Sequence, residues 1–337
     1  MLFIINSNKM FFYFILFFST LISISSNSWF GCWIGLEINL MSFIPLISNS
    51  NNLLSNEASL KYFLTQSIAS INFLFMILFK LFFFKNFFFD NFLSIMINSS
   101  LFLKMGSAPF HFWFPNVMEG LSWLNNFILM SWQKIAPMIL LSYYYNLYFL
   151  MLILIFNSII GAIGGFNQTS LRKILAFSSI NNLSWILISM LISENLWMFY
   201  FLFYSFIIMI MCFFFNIFNM FFINQLYILN FNSLIKFFLL INLLSLGGLP
   251  PLMGFFPKWI IINFLLMNNF YIISFIFILM SLILLFFYIR IFYSSFLFNY
   301  MKLKWMKTIV KNWNYSLINF FSMISISGMI LSTFFFY

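Results

Sequence analysis

The chain has 337 residues, 64% hydrophobic and 6% charged, with a formal net charge of +10 from 15 Lys+Arg against 5 Asp+Glu. So few charges cannot coat a water-soluble surface of this size, which excludes a soluble enzyme and a nucleic-acid-binding domain and makes the chain a polytopic membrane protein. At about 20 apolar residues per crossing, the length allows roughly ten to twelve spans and leaves no room for a soluble domain.

Lys9 followed by FFYFILFF has the charged start and apolar core of a signal peptide, but no small-residue cleavage pattern is clear, so it reads as a retained first span. Spans are expected near 9–26, 28–48, 57–80, 87–116, 121–145, 147–166, 172–192, 195–222, 232–268, 270–298 and 314–336. The expected fold is therefore all-α, with about eleven transmembrane helices in one domain over 1–337. The fourth and ninth spans are overlong and interrupted by Gly and Pro.

In the second span Glu37 stands mid-run in GCWIGLEINLMSFIP, where Gly31 and Gly35 have the spacing that lets a neighbouring helix approach closely. Its plain role is a structural carboxylate paired to a base. Glu57 and Lys61 open the third span with i,i+4 spacing, as an interfacial pair or with Lys61 facing inward. The fourth span carries LFLKMGSAPFHFWFP from Leu101 to Pro115. Lys104 lies there in an apolar run, and a lysine at a bilayer centre costs roughly 2.5–3.5 kcal/mol. Gly106 and Pro109 follow, and in a continuous helix Pro109 would free the carbonyl of Met105 beside that charge. His111, the single histidine, is either a proton relay or a hydrogen-bonded residue at the helix break.

Lys134 lies in SWQKIAP of the fifth span, where Pro137 would free the carbonyl of Gln133. Lys258 follows Pro257 in LGGLPPLMGFFPKW of the ninth. There Pro250, Pro251 and Pro257 would free the carbonyls of Leu246, Gly247 and Met253. Lysine suits proton transfer because desolvation readily lowers its pKa, whereas arginine stays charged. Arg290 in the tenth span is accordingly topological or a fixed counter-charge. Glu119 and Glu194 lie at span ends. Cys32 and Cys212 are far apart and read as small apolar residues. One histidine and no Gly-rich fingerprint leave no redox cofactor or metal site expected in this chain.

The interruptions repeat. Spans one to five (about 9–145) and six to ten (about 147–298) each place a broken helix fourth, marked by Lys104 and Lys258, with a C-terminal helix at about 314–336. Five spans per unit imply inverted topology, and paired broken helices in inverted repeats point to a transporter's site. Lys9, Arg172, Lys173, Lys302, Lys304, Lys307 and Lys311 share one side against Lys80 and Lys85, which places the N-terminus inside, in the cytoplasm or the mitochondrial matrix.

Several ordered blocks carry a resemblance: NSWFGCWIGLEINLMSFIPL, NEASLKYFLTQSIAS, LFLKMGSAPFHFWFPNVMEG, SWQKIAP, GAIGGFNQTSLRKILAFSSI and LSLGGLPPLMGFFPKW. Together they resemble the antiporter-like membrane-arm subunits of mitochondrial NADH–ubiquinone oxidoreductase, respiratory complex I, in the insect form. The resemblance implies a multi-pass protein of the mitochondrial inner membrane, with the N-terminus on the matrix side and other membrane-arm subunits and lipids as partners. It also implies an enzyme complex that uses NADH, FMN, iron–sulfur clusters and ubiquinone outside this chain. Carried over by block, the family's polar axis falls on Glu37, Lys104, Lys134 and Lys258, with His111 in the APFHFW block. Where related sequences often carry His, in the block SSINNLSW, this chain has Asn182. The function implied is proton translocation coupled to electron transfer elsewhere. A freestanding cation/proton antiporter and a purely structural subunit are the alternatives.

Overall fold

Backbone N–H and C=O groups inside a membrane must be satisfied internally, and runs this apolar do so as helices. The computed structural model describes residues 7–49, 51–82, 90–228, 233–297 and 312–328. Fifteen helices occur among them: α1 (Ser7–Ser25), α2 (Trp29–Ile47), α3 (Leu53–Phe82), α4 (Asp90–Met105), α5 (Trp113–Gly120), α6 (Trp123–Met130), α7 (Trp132–Tyr143), α8 (Leu147–Gly164), α9 (Leu171–Ile192), α10 (Glu194–Phe218), α11 (Ile223–Ile228), α12 (Ser233–Gly247), α13 (Phe255–Met267), α14 (Tyr271–Leu297) and α15 (Asn312–Ile326). Seven of these, α1, α2, α3, α8, α9, α10 and α14, are individually long and apolar enough to cross a membrane. Lys85, Lys302, Lys304, Lys307, Lys311 and the end of the expected last span lie outside the described residues.

The chain folds as two compact units, Met1–Ile153 and Leu154–Tyr337, parting within α8. In the first unit α1 and α2 form a close hairpin. A Cβ on Gly35 would lie 2.7 Å from the backbone and Cβ of Ser23, and one on Gly31 would lie 2.9 Å from Ser26 Cβ, so the glycine spacing does admit a neighbouring helix. In the second unit α9 is the most enclosed of the seven long helices, its apolar window being 83% buried. By contrast α1 and α14 expose Phe14, Phe18, Leu21, Phe275, Leu282 and Phe286, as a surface solvated by lipid or covered by membrane neighbours does.

The fourth and ninth expected spans are each two helices, α4 with α5 and α12 with α13. Both breaks are made by glycine rather than by proline. After α4, Gly106 takes φ +70, its N–H bonds the Leu103 carbonyl, and the Ser107 N–H reaches back to Phe102. After α12, Gly248 takes φ +87, its N–H bonds Ser245, and the Leu249 N–H reaches back to Leu244. Each is a Schellman turn, whose left-handed residue suits glycine because it has no Cβ. The expectation that Pro109 frees the Met105 carbonyl within a continuous helix is therefore corrected. The chain has left the helix at Gly106, before Pro109 is reached.

The break expected at Pro137 in the fifth span lies earlier, so that expectation is corrected as well. The fifth span divides at Ser131 (φ −111, ψ −75) into α6 and α7, and Pro137 sits inside α7. At the break the Ser131 hydroxyl donates to the Phe127 carbonyl at 2.7 Å.

Candidate functional site

The first unit builds its polar centre around the end of α4. Lys104 occupies the last turn of that helix and is 8% exposed. A cation is favoured there because the aligned peptide dipoles give the helix C-terminus partial negative charge. The last carbonyls of the helix take donors from outside its own ladder. Phe102 accepts from Ser107 N and Oγ, Leu103 accepts from the Trp113 indole at 3.1 Å, and Lys104 itself accepts from Gln66 Nε2 at 3.2 Å. Glu37, half-buried on α2, interacts electrostatically with Lys104.

Beside Lys104 is a cavity of about 10 Å³ lined by Leu36, Asn39, Leu40, Tyr62, Gln66, Gln133 and Pro137. That is about the space a single water requires. Asn39 and Gln133 face each other as a reciprocal amide pair at 2.9 and 3.0 Å, tying the Glu37 helix to the Lys134 helix. Lys134, 1% exposed in the first turn of α7, has its Nζ 5.1 Å from the centre of the Phe114 ring. The same ring packs against the turn at Gly106, where a Cβ would come within 3.0 Å of it. Thus Glu37, Lys104 and Lys134 belong to one constellation on α2, α4 and α7, with Gln66 of α3 and Phe114 of α5 as supports. His111 is 7% exposed, its Nδ1 lies 3.3 Å from the Pro109 carbonyl and its ring rests on Phe112. It does not line the Lys104 cavity.

The second unit builds a different centre around Lys258, in the first turn of α13 and 6% exposed. Its Nζ donates to the Gly247 carbonyl at 3.0 Å and the Leu246 carbonyl at 3.5 Å, at the open end of α12. These are two of the three carbonyls the prolines were expected to free, though the Schellman turn at Gly248 is what leaves them available. A Cβ on Gly248 would lie 3.0 Å from the ammonium nitrogen. Lys258 and Lys104 hold different positions relative to their breaks, the first in the later half-helix and the second in the earlier. The cavity at Lys258, also about 10 Å³, is bordered by Asn182, Tyr200, Tyr204, Ser245 and apolar neighbours. Tyr200 donates to Asn182 Oδ1 at 3.0 Å.

Sequence reasoning passed over Lys236. It is 5% exposed in α12, donates to the Ser295 carbonyl and lies near the Phe296 ring. Its signal, a lysine inside the apolar run SLIKFFLLIN, was as loud as that of Lys258. Glu57 and Lys61 form the expected pair at 2.5 Å, exposed on the outside of α3. Glu194 opens α10 beside the Ser193 cap, exposed as expected for a span end. Arg290 is exposed, caps the Phe166 carbonyl and stacks on the Phe166 ring.

The family model of the NADH:quinone oxidoreductase/Mrp antiporter membrane region matches residues 26–284. The chain is 50% identical to NADH-ubiquinone oxidoreductase chain 2 of Anopheles gambiae over 321 residues, covering 94% of each chain. With the chain 2 protein of Locusta migratoria it shares 44% identity over 97% of each. In fold it is similar to a chain of respiratory complex I from Thermus thermophilus, with TM-score 0.77 at 18% identity, over 96% of this chain and 78% of that one. The chain belongs to the NADH-ubiquinone oxidoreductase chain 2 family, the antiporter-like membrane subunits of respiratory complex I.

Proposed function

We propose that this subunit translocates protons, using Glu37, Lys104, Lys134 and Lys258 to couple electron transfer elsewhere in NADH:ubiquinone oxidoreductase to pumping. The observation that carries the reading is the burial of three lysines, two of them beside a water-sized cavity at the end of a broken helix, with the Glu37 charge acting on one of them. A desolvated amine exchanges its proton near neutral pH, and a neighbouring carboxylate biases which state it holds. Moving the Glu37 charge or its proton would therefore load or unload Lys104, and the cavity bounded by Asn39, Gln66 and Gln133 would admit the water that carries the proton. Lys134, over an aromatic face, is the next acceptor in the first unit, and Lys258 serves in the second. The redox groups belong to other subunits. The setting is the mitochondrial inner membrane, with the N-terminus in the matrix on the strength of Lys9, Arg172 and Lys173.

The test replaces the lysine matching Lys104 by Met in a bacterial homologue, assembles the complex and measures protons moved per quinone reduced. A lower ratio or slower turnover is expected. An unchanged ratio with unchanged turnover removes Lys104 from the path.

A further inference from the structure

The Lys258 cavity contains no carboxylate, and among the described residues no acidic group lies within ion-pair distance of this lysine. What surrounds it instead is a set of oxygens whose hydrogens are committed elsewhere. Tyr200 donates to Asn182 Oδ1 at 3.0 Å. Ser245 Oγ donates to the Asn242 carbonyl at 2.7 Å. Tyr204 and Ser179 hydrogen-bond to each other. The hydroxyls of Tyr200 and Ser245 therefore offer lone pairs towards the cavity. The lysine completes the pattern. The carbonyls of Gly247 and Leu246 accept two of its N–H bonds. A neutral amine has two N–H bonds and one lone pair, and an ammonium has three N–H bonds, so the third position alone distinguishes the two states.

We propose that the α9–α10 wall of this cavity holds the Lys258 charge in place of a carboxylate, and that Asn182 is the positioning residue that sets it. Pinned as a donor to Asn182, the Tyr200 hydroxyl accepts from the third N–H of Lys258 through one water in the cavity they share, and this favours the ammonium. Released from Asn182, the same hydroxyl turns its hydrogen to the cavity and meets the lone pair of the neutral amine. The proton carried is the one on the third N–H; Tyr200 changes orientation and not ionisation. The titratable groups that neighbouring helices bring to this site are Tyr200 and Tyr204 from α10 and, packed behind Gly247, Tyr288 from α14. Helix α9 contributes Asn182 and, through Tyr204, Ser179, and α12 contributes Ser245 and its terminal carbonyls, none of which titrates.

This inference rests on the reading of Lys258 as a proton carrier, and the experiment separates the two. Asn182→Leu, Asn182→Asp, Tyr200→Phe and Lys258→Met are introduced singly into this chain, and Asn182→Leu with Tyr200→Phe together; assembly is checked by the level of intact complex, and protons moved per quinone are measured against pH. Asn182→Leu and Tyr200→Phe should each lower the proton affinity of the site about tenfold, moving the alkaline limit of translocation down by about one pH unit. The double variant should move it no further than Tyr200→Phe alone, because Asn182 acts through that hydroxyl. Asn182→Asp keeps the acceptor, adds charge and should move the limit upward. If Lys258→Met changes the profile while the Asn182 and Tyr200 variants leave it in place, the wiring is wrong and the relay stands. If Lys258→Met leaves the profile unchanged, the relay reading falls and takes the wiring with it.

Discussion

Lys104 and Lys258 face the same problem, an ammonium in an apolar membrane, and the two units solve it with different materials. Around Lys104 the surroundings are side chains: the Glu37 carboxylate acts on it electrostatically, and the amides of Asn39, Gln66 and Gln133 line the cavity beside it. Around Lys258 the ammonium bonds two backbone carbonyls, with the hydroxyls of Tyr200, Tyr204 and Ser245 lining the cavity beside it. The same Schellman turn ends the first half-helix in both units, so the difference lies in which half carries the lysine. Lys104 is part of the helix end it charges, whereas Lys258 reaches the end of α12 from the half-helix that follows. A charge held by a carboxylate can be moved by moving that carboxylate's proton. A charge held by fixed dipoles responds to hydroxyl orientation and to water.

Breaking the contrast from the first side should have the largest effect. Glu37→Gln removes the carboxylate that acts on Lys104 and leaves the buried ammonium without that opposing charge unless it sheds its proton. Turnover of the assembled complex, measured as NADH-driven quinone reduction, should fall at least about tenfold. No acidic residue in the second unit offers an equivalent substitution.

The turns come next. Gly106→Ala and Gly248→Ala each force a side chain into left-handed geometry at about 1–2 kcal/mol. The first meets the Phe114 ring and the second the Lys258 ammonium. Gly248→Ala should therefore depress protons moved per quinone more than Gly106→Ala, while both lower the amount of assembled complex to a similar degree. A smaller change is expected for Gln66→Leu, which leaves the Lys104 carbonyl without its donor and costs about 1–3 kcal/mol. It should read as a lower melting temperature of the complex with turnover reduced by less than Glu37→Gln reduces it. Smallest of all, Lys61→Met breaks an exposed pair worth about 0–1 kcal/mol and should leave turnover unchanged at moderate salt.

The charged members of the site were legible because a Lys or Glu within an apolar run is expensive and therefore conspicuous. Glu37, Lys104, Lys134 and Lys258 stand out for that reason, and Lys236 carries the same signal. Their supports were not legible. Asn39, Gln133 and Tyr200 are ordinary members of a chain rich in asparagine and tyrosine, and only the helix packing decides which amide meets which; Asn182 stood out through the resemblance alone, without its tyrosine partner. The positions of the broken fourth and ninth spans were readable from clustered Gly and Pro, but proline drew attention away from Gly106 and Gly248, where the helices end. The break at Ser131 has neither residue at its site. Pro137, six positions later, was the available cue, and it pointed to the wrong turn.

The carbonyls of Leu246 and Gly247 that hold Lys258 belong to the backbone. No codon specifies them, so any residue compatible with the end of α12 supplies the same two acceptors. A substitution at Leu246 changes what packs around the charge and leaves its immediate partners in place. At Glu37 a single nucleotide change can abolish the partner altogether. Lys258 is thus secured by the path of the chain, and the mutations that would free it are those that redirect the path, at Gly248 above all.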